Sequence, residues 1–118
     1  MTDYDRHDVL TALFPFIEMA DRKPRPVLVL SSLDFNAANG HVVAAMITSG
    51  AGSHWPSDRP IHDLAEAGLR HASVVRCKLF TLPNAQIGRR IGRLSEADRV
   101  RIGDGFAVIL CDGRRSAF

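Results

Sequence analysis

The chain has 118 residues, of which 46% are hydrophobic and 24% charged, and this suits a globular domain that buries its core without disulfide or metal staples. No apolar run approaches the roughly 20 residues of a membrane span, and the mixed, acidic start is unlike a signal peptide. We therefore expect one domain over residues 1–118, with residues 1–7 as a flexible tail, no membrane segment and a cytoplasmic location.

Charge is unevenly distributed along the chain. The net charge of +2 combines 5 Lys/Arg and 9 Asp/Glu in residues 1–69 with 10 Lys/Arg and 4 Asp/Glu in residues 70–118. A basic half attracts polyanions and releases their counterions on binding, which is typical of proteins that bind nucleic acid. A solvated surface would show the same pattern, so charge alone leaves both interpretations open.

The first half of the chain predicts strands separated by a turn and a loop. Short apolar runs predict three strands, over residues 9–16, 26–31 and 41–48. Asn39-Gly40 is a strong hairpin signal, so we expect a turn over residues 36–40 with the second and third strands paired across it. Residues 50–60 are rich in Gly and Pro and predict an exposed loop.

The second half predicts short elements followed by one helix. The short elements are a helical turn over residues 63–67, a strand over 72–79, a helical or turn segment over 84–90 and a strand over 92–94. Ser95 is a hydroxyl cap followed by two acids, which is the usual start of a helix. Strands dominate, so the sequence predicts a small, mainly β barrel with α additions and a C-terminal helix that covers it.

Polar side chains interrupt the most apolar stretches. Arg25 opens the second strand, Thr48 and Ser49 close the third, and Arg76 and Lys78 lie within the fourth. A buried strand rarely carries an arginine unless an anion meets it, so these strands predict a phosphate pocket around Arg25, Thr48 and Arg76. Three other accounts stay open: a surface salt bridge for Arg25, solvent exposure for Lys78, and turn capping for the two hydroxyls.

No protein nucleophile stands beside a histidine base in a recognisable arrangement. RNA removes that requirement, because its own 2′-hydroxyl is the nucleophile and the protein must supply only cations and groups that move two protons. A site rich in arginine and free of metal is chemically adequate for RNA and would fail on DNA.

Four segments carry a resemblance to a known family. Residues 25–31, 45–49 and 67–76, followed by residues 87–95, are similar in content and order to the PemK/MazF-like toxins of type II toxin–antitoxin systems. The resemblance covers about residues 8–110. It implies an SH3-like barrel, a homodimer, a cognate antitoxin, and metal-independent cleavage of single-stranded RNA to 2′,3′-cyclic phosphate and 5′-hydroxyl ends.

The resemblance also implies roles for individual residues. Arg25, Thr48 and Arg76 match family active-site positions: the arginines would stabilise the pentavalent phosphate, and Thr48 would orient it, with Ser49 beside it. Lys78 stands where some members carry an acid, and residues 17–23 contain no histidine where some members have one. The general base and acid are therefore not assigned by the family pattern.

The loop after the third strand contributes two further candidates. Trp55 either stacks on a base or covers a core, and His54 is a candidate for proton transfer. The remaining histidines have no ligand spacing, and the two cysteines, Cys77 and Cys111, are too few for a metal site or a disulfide framework. We expect no metal, no cofactor and reduced thiols, with a secreted single disulfide as the alternative.

Other functions fit the same sequence. A toxin of this fold could inhibit a DNA topoisomerase by protein–protein binding, without using the arginines. A barrel that has lost catalysis could bind RNA or an antitoxin peptide, and a purely structural domain is the remaining alternative.

Overall fold

The structure is a computed structural model and describes residues 3–13 and 23–112. These residues form six strands, three α-helices and one 3₁₀ turn. In chain order they are β1 (Asp8–Ala12), β2 (Arg25–Val29), α1 (Leu33–Asn39), β3 (His41–Thr48), β4 (Arg59–Pro60), α2 (Leu64–Ala67), β5 (Val74–Pro83), the 3₁₀ turn (Asn84–Gln86), β6 (Ile87–Arg93) and α3 (Glu96–Leu110).

All six strands belong to one antiparallel sheet, in the order β4-β5-β3-β2-β1-β6. The predicted mainly β fold with a C-terminal helix is confirmed, and β2 pairs with β3 as expected, with Val27 across from Met46. Within the described residues no pairing joins β4 to β6, so the sheet is barrel-like without being closed.

Strand alternation divides the buried side chains between two faces of the sheet. One face packs against α3, whose Ile102 and Phe106 join a core containing residues from β1, β2, β3 and β5. The other face, which we call the far face, holds Val27, Met46 and Phe80 among others. Continuing the β2–β3 register places Arg25 across from Thr48 on the far face, and β5 places Arg76 across from Met46 on that same face.

Helix α1 corrects one prediction. Residues 36–40 are not a hairpin turn: the Ser32 side chain accepts a hydrogen bond from the Phe35 amide at 3.2 Å and starts a helix. Gly40 ends that helix in the left-handed conformation, with φ of 61°. Asn39-Gly40 is therefore a helix C-terminus, because a glycine with positive φ suits a helix end as well as a tight turn.

The other boundary errors lie at β5 and β6. Strand β5 runs to Pro83, beyond the predicted end at residue 79, and β6 occupies most of the segment predicted as helical or turn. The arginines and glycines of β6 hide any apolar alternation, and pairing with β1 decides its conformation. Helix α2 lies within the helical turn predicted over residues 63–67 and ends at Gly68, and α3 is capped by Ser95, as predicted. The predicted strand end at residues 14–16 lies outside the described residues.

The structure corrects the flexible tail predicted for residues 1–7. Tyr4 is buried, the Arg6 side chain donates to the Leu30 carbonyl at 2.7 Å, and the His7 amide donates to the Val29 carbonyl at 2.9 Å. Residues 3–7 are thus tied to the end of β2, and residues 1–2 lie outside the described part of the chain. No helix in the described ranges has the length and apolarity needed to cross a membrane.

Candidate functional site

A pocket of about 390 Å³ opens where β2 begins and β3 ends, and we call it the strand-end pocket. Arg25 and Thr48 are half-buried in its wall, and Ser49 is exposed beside them. They meet because antiparallel pairing puts the start of β2 beside the end of β3. The predicted meeting of Arg25 with Thr48 is therefore present in the structure.

Each of the two hydroxyl oxygens in the strand-end pocket accepts a hydrogen bond from a backbone amide. Thr48 Oγ1 accepts from the Gly50 amide at 3.3 Å, and Ser49 Oγ accepts from the Ala51 amide at 3.2 Å. Each hydroxyl keeps its own O–H donor when its oxygen accepts a bond. Turn capping and donation to a phosphate are thus compatible, although the sequence presented them as alternatives.

The opposite wall of the strand-end pocket is a segment that sequence reasoning missed. Residues 69–73 line it, and they include the exposed side chains of Arg70 and His71. Gly68, with φ of 75°, turns the chain out of α2 and toward this wall. The sequence offered only the basic pair before β5 as a signal, because the pocket depends on where α2 ends in space.

Arg76 does not line the strand-end pocket. Its guanidinium forms a bidentate pair with Asp58, with Nε to Oδ1 at 3.0 Å and Nη2 to Oδ2 at 2.8 Å. Its Nη1 donates to Ser53 Oγ at 3.0 Å. We call Arg76, Asp58 and Ser53 the clamp. Both ion-paired side chains are nearly inaccessible, at 7% for Arg76 and 3% for Asp58, so the clamp is an internal link between β5 and the loop before β4.

The clamp explains the electrostatics around it. Hydrogen bonding from Arg76 is the main reason why the pKa of Asp58 lies below its usual value, and the nearby His54 lowers that pKa further. Hydrogen bonding to Asp58 likewise raises the pKa of Arg76. The Trp55 ring stacks on the guanidinium, with 4.9 Å between the ring centroid and Cζ of Arg76.

The remaining predicted site residues lie around the clamp. Trp55 is 38% exposed, so one part of the ring contacts Arg76 while the rest is accessible to a ligand. His54 is exposed in the same loop, and Lys78 is exposed on β5, two residues from Arg76. The structure thus divides the predicted site in two: Arg25, Thr48 and Ser49 at the strand-end pocket, and the others at or near the clamp.

No group of three or more His, Cys, Asp or Glu side chains is arranged to hold a metal ion within residues 3–13 and 23–112. Both cysteines are free thiols, and burial raises the pKa of Cys77. In the described wall of the strand-end pocket every charged side chain is cationic. That wall therefore suits an anion such as a phosphodiester.

Comparison with known proteins gives consistent matches. Residues 5–110 match the family described as PemK-like, MazF-like toxin of type II toxin–antitoxin system. A relative from Mycolicibacterium smegmatis, named "Probable endoribonuclease MazF", is 33% identical over 89 residues, which is 75% of this chain and 81% of the relative.

Solved structures show the same architecture. The Mycobacterium tuberculosis toxin MazF-mt6 superposes with a TM-score of 0.68 at 25% identity, covering 86% of this chain and 93% of that one. A mycobacterial endoribonuclease solved in complex with its cognate antitoxin gives a TM-score of 0.71 at 19% identity, over 93% and 95% of the two chains. The second likeness concerns the fold alone.

Proposed function

Since this chain belongs to the PemK-like, MazF-like toxin family of type II toxin–antitoxin systems, we propose that it is an endoribonuclease that cuts single-stranded RNA in the strand-end pocket. The observation that carries the proposal is the convergence of Arg25, Thr48 and Ser49 on one pocket whose described charged residues are all cationic. The ends produced are a 2′,3′-cyclic phosphate and a 5′-hydroxyl.

The chemistry needs no nucleophile from the protein. The 2′-oxygen of the RNA attacks the adjacent phosphorus and loses its proton, the bond from phosphorus to the 5′-oxygen breaks, and that oxygen gains a proton. Arg25 donates N–H groups to the phosphorane oxygens, where charge develops in the transition state. Thr48 donates its hydroxyl to the scissile phosphate and holds it in line.

Two proton transfers remain to be assigned, and His71 is our candidate for one of them. It is the imidazole among the described residues of the pocket, on the wall opposite Thr48. Imidazole both accepts and donates protons near neutral pH, so it can act as base or acid without a neighbouring carboxylate. This assignment replaces the histidine that is missing from residues 17–23.

The clamp has a supporting part in the proposal. Arg76 holds Ser53 and Asp58, and thereby the loop that carries His54 and Trp55. We propose that it acts as a positioning residue for this loop, while its predicted direct contact with phosphate stays a prediction. Substrate contacts by Lys78, His54 and Trp55 also stay predictions, and each of the three is exposed enough for such a contact.

The proposal includes protein partners. We propose a homodimer that binds a cognate antitoxin in the cytoplasm. Exposed apolar side chains on α3 support a protein interface, because exposed apolar patches commonly mark such surfaces. These residues are Val100, Val108, Ile109 and Leu110, and each is 45–69% exposed.

The test is an RNA cleavage assay on purified protein free of antitoxin, in the presence of EDTA. We expect cuts in single-stranded RNA of diverse sequence, none in DNA of the same sequence, and cyclic-phosphate ends by end mapping. Folded protein that leaves all these RNAs intact would contradict the proposal. RNA binding without cleavage would favour the inactive barrel, and toxicity that survives Arg25→Ala would favour topoisomerase inhibition.

A further inference from the structure

A second pocket, of about 480 Å³, adjoins the strand-end pocket. The two share one wall, made of residues 69–71 and Pro26, so they form a continuous groove. Strand β6 also lines the second pocket, through Arg89, Arg90 and Ile91. We call it the β6 pocket.

The charges of the β6 pocket have one sign. Arg70, Arg89 and Arg90 line it, all three are exposed, and no acidic side chain is among its described lining residues. Thr11 adds a hydroxyl whose oxygen accepts a bond from the Arg89 amide at 3.1 Å. Three guanidinium groups without a facing carboxylate in the lining favour a polyanion.

Arg90 is held in place from behind. Its Nε and Nη2 both lie 2.9 Å from Oδ2 of the fully buried Asp8, while 41% of the side chain remains accessible. Arg93, three residues further along β6, also pairs with Asp8, at 3.5 Å and with 44% accessible. Arg93 is not among the residues that line the β6 pocket. Both arginines are thus exposed partners of Asp8, with the shorter contacts at Arg90, and of the two only Arg90 is among the described residues that line the groove.

Close backbone packing fixes the shape of the β6 pocket. A Cβ at Gly68 would lie 2.0 Å from the Ile91 carbonyl oxygen, and one at Gly88 would lie 2.6 Å from Thr11 Oγ1. Both glycines thus allow contacts that no other residue would permit. The shared wall and β1 are packed directly against β6, so the groove is formed before any ligand binds.

We propose that the β6 pocket binds the backbone phosphates of nucleotides that flank the cleaved bond. This inference rests on the proposed function, because it assumes that the RNA chain cleaved in the strand-end pocket continues along the groove into the β6 pocket. Except for His71, its described lining has no aromatic ring on which a base could stack, so we expect contacts to phosphates and little preference for base identity.

The experiment measures binding separately from cleavage. Fluorescently labelled 2′-O-methyl oligonucleotides cannot be cut, because the attacking hydroxyl is blocked, and their anisotropy reports affinity at several salt concentrations. We expect wild-type protein to bind a chain of about 12 nucleotides more tightly than one of about 4, within the range of sizes known for single-strand sites. Arg89→Gln and Arg90→Gln should each weaken binding of the longer chain by about 2- to 5-fold and reduce its salt slope by about 0.7.

Arg93→Gln is the control, because it removes an equally exposed partner of Asp8 without changing the groove. It should bind the longer oligonucleotide like wild type, and it should lose less thermal stability than Arg90→Gln because its contact with Asp8 is longer. Equal affinity of all variants, or an equal loss in Arg93→Gln, would overturn the inference. Length-independent binding by a wild-type protein that cleaves RNA would do the same while leaving the proposed function intact.

Two further results separate the alternatives. In the first, Arg89→Gln weakens binding of an acidic peptide but leaves binding of the oligonucleotide unchanged. That result would make the β6 pocket a protein-binding site and overturn the inference. A second result would separate the binding groove from the cleavage. If wild type binds longer oligonucleotides more tightly, Arg89→Gln weakens that binding, and wild type still cuts no RNA, the groove would be supported and the proposed cleavage contradicted.

Discussion

The strand-end pocket and the clamp lie on the same face of the same sheet, yet they use arginine in different ways. Arg25 is half-buried in the strand-end pocket, and the other charged side chains of its described wall are cations, so this wall attracts an anion. Arg76, two strands away, binds Asp58 through two hydrogen bonds and is covered by Trp55. An arginine in an apolar strand therefore indicates either a ligand site or an internal ion pair, and the side chains that the fold places around it decide which.

Physical chemistry explains why the distinction matters. A buried ion pair is costly to break, because removing one partner leaves an unpaired charge in a low-dielectric interior. Arg76 is thus committed to the clamp as long as Asp58 is ionised. The residues of the strand-end pocket should control activity, while those of the clamp should control stability and the shape of the loop.

The largest effect should come from Arg25→Ala. Loss of a group that stabilises developing charge typically lowers the rate by about 10²–10³-fold, and we expect the single-turnover rate of RNA cleavage to fall by this amount. The thermal midpoint is measured on the same samples, so that loss of catalysis is separated from loss of folded protein. Arg76→Lys, which keeps the charge but loses the bidentate geometry, should instead lower the midpoint and reduce cleavage less. A reversed order of these effects would contradict the division between pocket and clamp.

His71→Gln should lower cleavage by about 10²-fold, the lower end of the range for a general acid or base. The decisive measurement is the pH–rate profile, in which the variant should lose a limb that wild type shows. A merely structural histidine would lower the rate without changing the shape of the profile. His62→Gln is the control, because His62 is also exposed and is absent from both pockets.

The features of the fold that could be predicted from the sequence are those set by local signals and by the pairing of neighbouring strands. The β2–β3 pairing, the glycine end of α2 and the Ser95 cap of α3 all depend on residues close in sequence. The turn at Asn39-Gly40 was misassigned because that dipeptide also ends helices. Register then brought Arg25 and Thr48 together, which is why the strand-end pocket could be anticipated from two apolar runs.

The rest of the site depends on contacts between distant segments. Asp58 is 18 residues from Arg76 and reaches it because Arg59 pairs with Val75 in the short strand β4. Sequence predicted only an exposed loop there. His71 reaches the strand-end pocket because of where α2 ends. Neither placement leaves a periodic pattern, so neither could be derived before the fold was known.

The smallest effect should come from Asp58→Asn, which tests the clamp itself. The folded-state pKa of Asp58 lies below its usual 3.8, so the unfolded chain takes up the proton first as the pH falls. The stabilisation by Asp58 is therefore complete above about pH 4 and is lost as the pH falls from there toward the folded-state pKa. At neutral pH we expect Asp58→Asn to lower the free energy of unfolding by about 1.5–3 kcal/mol, the usual range for hydrogen bonds to a charged group. Urea titrations of wild type and variant should converge as the pH is lowered.

Asp34→Asn, at an exposed aspartate of α1, should show neither the loss nor the convergence. An Asp58→Asn protein as stable as wild type at neutral pH would mean that the clamp does not hold the loop, and Arg76 would then be available to a phosphate.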